Sequence, residues 1–153
     1  MHSKEIIEAY FKIRWPDFKP EEILGVDQLN LYLQKGVFAY SFKALDKLQE
    51  FRNIVGAPLR INQRGLFRRG ARSTKENYEV QKNSRGSDGW EYSFHLWCAF
   101  DIDSLTVSIP DLYKAAIDSK LWGGIGLYDT WIHVDDRDNL SNKPILWDLR
   151  KLK

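Results

Sequence analysis

Two of the three histidines, His95 and His133, each stand just upstream of acids that could share an ion with them: YSFHLWCAFDID (92–103) and TWIHVDD (130–136). In an extended strand residues two apart project from one face, so Asp101 pairs with Asp103 and His133 with Asp135. Set on neighbouring strands, with His95 on the loop before them, these pairs would converge on one cation. Cys98 is the only cysteine. That excludes an intrachain disulfide and a thiolate-rich zinc knuckle, so any metal must be held by imidazole and carboxylate. Zinc accepts such a donor set; a catalytic centre uses three side-chain ligands and keeps a fourth position for water, whose pKa falls to about 7. Two choices stay open on spacing alone: Asp101 or Asp103, and His133 or Asp135. Cys98 reads as a small buried thiol, and His2, in the N-terminal tail, has no site role.

A second chemical feature is QRGLFRRGAR (63–72), with four arginines and no acid. A guanidinium fork suits a carboxylate or a developing oxyanion, and the same stretch also reads as a basic solvated loop. The chain as a whole carries 23 basic and 21 acidic side chains, a formal charge of +2. That balance gives no argument for nucleic acid or an anionic membrane as partner. No apolar run approaches the ~20 residues of a membrane span. Charges interrupt the apolar pattern of MHSKEIIEAYFKIRW, so it does not read as a secretory signal. The expectation is a protein made in the cytoplasm without a signal peptide.

These residues need a scaffold of helices and strands to bring them together. At 153 residues and 43% hydrophobic, the chain fits a single domain, 1–153, that can bury roughly 70% of its unfolded surface. SKEIIEAYF reads as a short helix capped by Ser3, and Pro16 and Pro20 break the next stretch into a loop. Phe38, Phe42, Leu45, Leu48 and Phe51 form an apolar stripe that predicts a helix over 37–55, ended by Gly56 and Pro58. PLRIN (58–62) reads as a strand, and 63–91 shows no sustained period. CAFDID (98–103) is a candidate strand. IPDLYKAAIDSKLW (109–122) predicts a helix with Pro110 in its first turn. GGIG (123–126) reads as a turn and TWIHVD (130–135) as an alternating strand. Trp90, Trp97, Trp122 and Trp131 flank the proposed cleft in sequence, and most read as core. The tail LSNKPILWDLRKLK reads as a packing strand or a partner contact. The fold class expected is α+β, a small antiparallel sheet with flanking helices.

The stretch from Ser93 to Ile102 resembles the Ser-x-His-x-x-Gly-x-Ala-x-Asp motif of the zinc D-Ala-D-Ala peptidases. GGIGLYDTWIHVDDR (123–137) resembles their second motif, Gly-Gly-Ile-Gly-x-Tyr followed by His-x-Asp/His-x-Arg. That family includes murein carboxypeptidases, phage endolysins and vancomycin-resistance dipeptidases, and shares its fold with the signalling domain of hedgehog. With the helix and strand of LDKLQEFRNIVGAPLRIN, the likeness spans about residues 38–137. It implies a hedgehog/DD-peptidase-like fold and zinc held by His95, Asp101 and His133. Asp135 is the rival third ligand, or else orients ligand or water. The resemblance makes Asp129 the acid or base that moves a proton from water to the leaving amine. His95 and Asp101 stand one residue closer than the motif prescribes, which leaves Asp103 as the fallback. The family's Ser-Gly-Tyr-Arg, whose Arg binds substrate, finds no clean match; Arg64 lies nearest the strand end, Arg68 nearest the family spacing, and Arg69 beside it.

The resemblance implies a zinc metallopeptidase that cleaves peptidoglycan stem peptides at a bond involving a D-amino acid. It would act at the cell wall in the manner of a phage lysin or virion-associated hydrolase, with no nucleic acid or membrane as partner. The competing expectation is a family member without catalysis, serving as a structural or binding module in a phage particle.

Overall fold

The computed structural model of the chain describes residues 3–61, 70–85, 93–138 and 143–151. Among them lie six α-helices and a four-stranded sheet. The helices are α1 (Lys4–Arg14), α2 (Pro20–Ile23), α3 (Val26–Lys35), α4 (Phe42–Val55), α5 (Thr74–Arg85) and α6 (Ile109–Ser119). The strands are β1 (Ala99–Ile102), β2 (Gly124–Leu127), β3 (Ile132–Asp135) and β4 (Ile145–Asp148). No helix among the described residues is long and apolar enough to cross a membrane.

Helix boundaries track local chemistry where a cap is present. Ser3 accepts from the Ile6 N–H and opens α1, which turns Ile7 and Phe11 inward. Ser108 caps α6 by accepting from Asp111, with Pro110 in the first turn as expected. The stripe assigned to 37–55 begins only at Phe42, where Ser41 accepts from Ala44. Tertiary bonds claim the preceding residues: the Tyr40 hydroxyl donates to the Ala99 carbonyl and the Ser41 N–H to that of Trp97. At the other end Gly56 takes the left-handed conformation, φ 68°, which a glycine enters without a Cβ penalty.

Other expectations fail. The stretch from Pro20 onward, read as a loop, instead holds α2 and α3. The stretch 63–91 is not irregular throughout, because α5 runs from Thr74 to Arg85. Its start is a capping box: the Glu76 N–H donates to Ser73 Oγ and the Ser73 N–H to Glu76 Oε2. GGIG is not a turn but supplies most of β2. The described residues of PLRIN, 58–61, form a bridge, Arg60 opposite Asp103, and no strand.

The sheet runs β1-β3-β2-β4. β3 is antiparallel to β1 and β2, whereas β4 lies parallel to β2, so the sheet is mixed rather than antiparallel. One face carries Phe100, Ile102, Ile125, Ile132 and Val134, all buried; α6 packs on β2 and β3, with α4 packed on α6 in turn. At about 2 kcal/mol per buried side chain, those five side chains contribute on the order of 10 kcal/mol before chain entropy is counted. A slip of one residue would forfeit that, so the apolar face fixes the register. The register in turn decides what meets on the other face.

Candidate metal centre

Across that other face the pairing aligns Asp101 with His133, His133 with Gly126, and Gly126 with Trp147. Two residues along, Ala99, Asp135, Gly124 and Ile145 align in the same way. Glycines are required in β2 because neighbours lie over it. A Cβ on Gly126 would stand 2.3 Å from the Trp147 indole nitrogen, and one on Gly124 would stand 2.5 Å from Arg137 Nε. The two residues that suggested a turn are therefore clearance for side chains crossing a strand.

His95 arrives from the short 3-10 turn Phe94–Leu96, in which Ser93 accepts from the His95 N–H. The turn is fastened to Gly70–Arg72. The Arg72 N–H donates to the His95 carbonyl, the Ala71 N–H to that of Ile23, and the Gly25 N–H to that of Ala71. The N-terminal helices thus brace the loop that supports His95.

His95 Nε2 stands 3.3 Å from Asp101 Oδ1, and His133 Nδ1 stands 3.0 Å from the same oxygen. One ligand atom from each of the three residues lies within 4.8 Å of the others. The remaining ring nitrogens are engaged behind them. His95 Nδ1 faces the Gly70 carbonyl at 3.0 Å, and His133 Nε2 faces Asp135 Oδ2 at 2.9 Å. Both partners only accept, so those nitrogens carry the hydrogens and the other nitrogen of each ring turns toward Asp101.

Burial and partners set the charge states. Burial holds the His95 imidazolium below its ordinary pKa, so that ring sits neutral. Burial pulls His133 the same way, but hydrogen bonds to Asp101 and Asp135 outweigh it and raise the group. Burial opposes ionisation of Asp101 as well, yet the attraction of the His95 and His133 rings in their protonated forms brings its carboxyl well below the usual range. Asp135, against the same penalty, is brought down to about 2 by Arg137 and His133. A neutral His95 therefore aims a lone pair at an ionised carboxylate. A proton on His133 Nδ1 satisfies only its own contact with Asp101. A divalent cation between the three atoms satisfies all of them.

The donor set fits such an ion. Tetrahedral bonds of about 2.0 Å place donors roughly 3.3 Å apart; the two imidazole nitrogens stand 3.0 and 3.3 Å from Asp101 Oδ1 and within 4.8 Å of each other. Each histidine has its second nitrogen held by a carboxylate or carbonyl, the arrangement that fixes a ligating ring.

Around this centre, Asp135 lies behind His133, bonded to it and to Arg137. Asp103 is drawn off by Arg60, whose Nε donates to its Oδ1 at 2.6 Å. Cys98 is buried and burial pushes its thiol up to about 12, so it offers no thiolate. Asp129 stands exposed in the turn between β2 and β3, accepting from the Lys151 N–H. Arg64, Arg68 and Arg69, with Trp90, lie outside the described residues. Trp122 is core, Trp97 is 44% exposed, and Trp131 stacks on Tyr128 with ring centroids 5.0 Å apart.

Two side chains beside the centre were not anticipated from the sequence. Arg72 is 8% exposed, and its Nη2 lies 3.6 Å from Asp101 Oδ2. Trp147, from the tail, has its ring centroid 5.3 Å from that of His133 and donates to the Tyr128 hydroxyl. Only the parallel pairing of β4 brings it there. Compared with protein-family models, curated proteins and solved structures, the chain matches none.

Proposed function

We propose that the chain is a zinc-dependent peptidase acting on peptidoglycan stem peptides at a bond involving a D-amino acid. One observation carries the reading. The three residues that the motif resemblance assigns to zinc, His95, Asp101 and His133, have donor atoms within 4.8 Å of one another, with both imidazoles held in the ligating orientation. The substrate class comes from the resemblance of the two motifs.

Zinc bound there would supply a Lewis acid and an activated water to a peptide carbonyl. The chain's own residues do the rest. Gly70 and Asp135 hold the two rings in register by accepting their outer N–H groups. Arg72, a guanidinium held beside Asp101, is the described arginine placed to receive a substrate carboxylate or an oxyanion. Trp147 covers one side of His133 with aromatic surface, its indole N–H held by the Tyr128 hydroxyl and Tyr128 stacked on Trp131.

A second reading, a family member that holds metal without hydrolysis, is favoured by Asp129. The acid assigned to proton transfer stands at the hairpin tip against the Lys151 backbone. The experiment that separates the readings measures zinc content and cleavage of purified muropeptides together. The enzyme gives one zinc per chain, with His95→Ala losing both metal and cleavage. Zinc without cleavage at neutral pH means the non-catalytic module, and no zinc with no cleavage overturns the metal reading itself.

A further inference from the structure

We propose that Arg137 is a positioning residue for the metal centre, clamped between Phe94 and Trp147 and acting through Asp135 on His133. The inference rests on the metal reading above and adds what holds the second layer.

Arg137 commits three donors to one carboxylate. Its backbone N–H and Nε donate to Asp135 Oδ1 at 3.1 and 2.7 Å, and Nη2 donates to Oδ2 at 2.6 Å. Oδ2 is the same oxygen that accepts from His133 Nε2 at 2.9 Å. The guanidinium is itself held, with its carbon 4.2 Å from the Phe94 ring centroid and 5.2 Å from that of Trp147. Those rings flank the two histidines: Phe94 precedes His95 in the chain, and Trp147 packs against His133. The double glycine that opens β2 makes the room, since a Cβ on Gly123 would stand 2.0 Å from the Arg137 carbonyl oxygen.

A carboxylate held by a fork cannot rotate away from the imidazole it accepts from, so His133 Nδ1 stays aimed at Asp101 and His95. Lysine offers a point charge without the planar fork. Arg137 thus selects one orientation of one ligand, and β4 takes part by supplying a wall of the clamp.

The test measures zinc affinity by competition with a chromogenic chelator for the wild type, Arg137→Gln, Arg137→Lys and Asp135→Asn, beside thermal melts of the metal-free forms. Arg137→Gln and Asp135→Asn should weaken zinc about 10–100-fold, the range for lost partners of ligating histidines. Arg137→Lys should recover only part of it. A purely structural arginine would lower the metal-free melting temperature and leave the affinity of the folded protein unchanged. Should Arg137→Gln fail to fold, Arg137→Lys decides: wild-type affinity overturns the proposal and weaker affinity supports it. A wild type that binds no zinc sinks the metal reading and this proposal together; a zinc-binding wild type with unaffected variants sinks this proposal alone.

Discussion

At the residue scale, spacing nominated the histidines and their acids but left Asp101 against Asp103 and His133 against Asp135 open. The motif resemblance chose between them, and strand pairing brings the chosen residues together. Asp101 sits opposite His133 in a short antiparallel ladder. The two glycines of β2 carried a signal that reads two ways. Glycine marks turns, but it also marks a strand over which other side chains pass. Substituting one distinguishes these roles. Gly126→Ala drives a Cβ into the Trp147 indole and should cost about 1–3 kcal/mol, measured as a lowered urea midpoint; a neutral substitution would mean that the indole does not lie there. Cys98 gives a second test. Its thiol is raised from an ordinary 9.0 to about 12, so the unfolded chain ionises first as pH climbs. Stability tied to Cys98 is therefore complete below about pH 9 and is lost between about 9 and 12. Cys98→Ala should flatten that alkaline loss in urea titrations, and native protein at pH 8 should resist a thiol-reactive dye until it is unfolded.

At the element scale legibility tracked whether a segment's shape is decided locally. The stripe of α4, the cap of α1 and the first-turn proline of α6 were readable because each acts on its own helix. Helix α5 was missed because its composition is polar, although Ser73 and Glu76 already spelled a capping box. Removing either partner, Ser73→Ala or Glu76→Ala, should cost about 1 kcal/mol, seen as reduced helicity and a lowered urea midpoint. A loss of several kcal/mol would mean that the box also fastens Gly70–Arg72, the segment that orients His95. Arg72 and Trp147 were unreadable for a different reason. Arg72 is delivered by the backbone bridge between Leu24 and Ala71, and Trp147 by a parallel pairing of β4 with β2. No local pattern encodes a contact made across so much chain.

At the scale of the whole molecule, the sheet divides labour between its faces. The apolar face binds the helices and fixes register; the polar face, positioned by that register, assembles charges that burial alone would reject. An ion that binds only the folded arrangement must stabilise it. Zinc at about 100 times its dissociation constant should add about 2.7 kcal/mol, a rise of roughly 5–10 °C in melting temperature for a chain of this size. Chelation should reverse it, and His95→Ala should abolish it. Equal melting temperatures with and without zinc would mean that the cluster is a hydrogen-bonded network only.

The most direct measurement is anomalous scattering at the zinc edge from a crystal of the zinc-soaked protein. A single strong peak within about 2.0–2.2 Å of His95 Nε2, Asp101 Oδ1 and His133 Nδ1 is the predicted result. No peak there, or a peak held by Asp103 or Asp135 in place of these atoms, would contradict it.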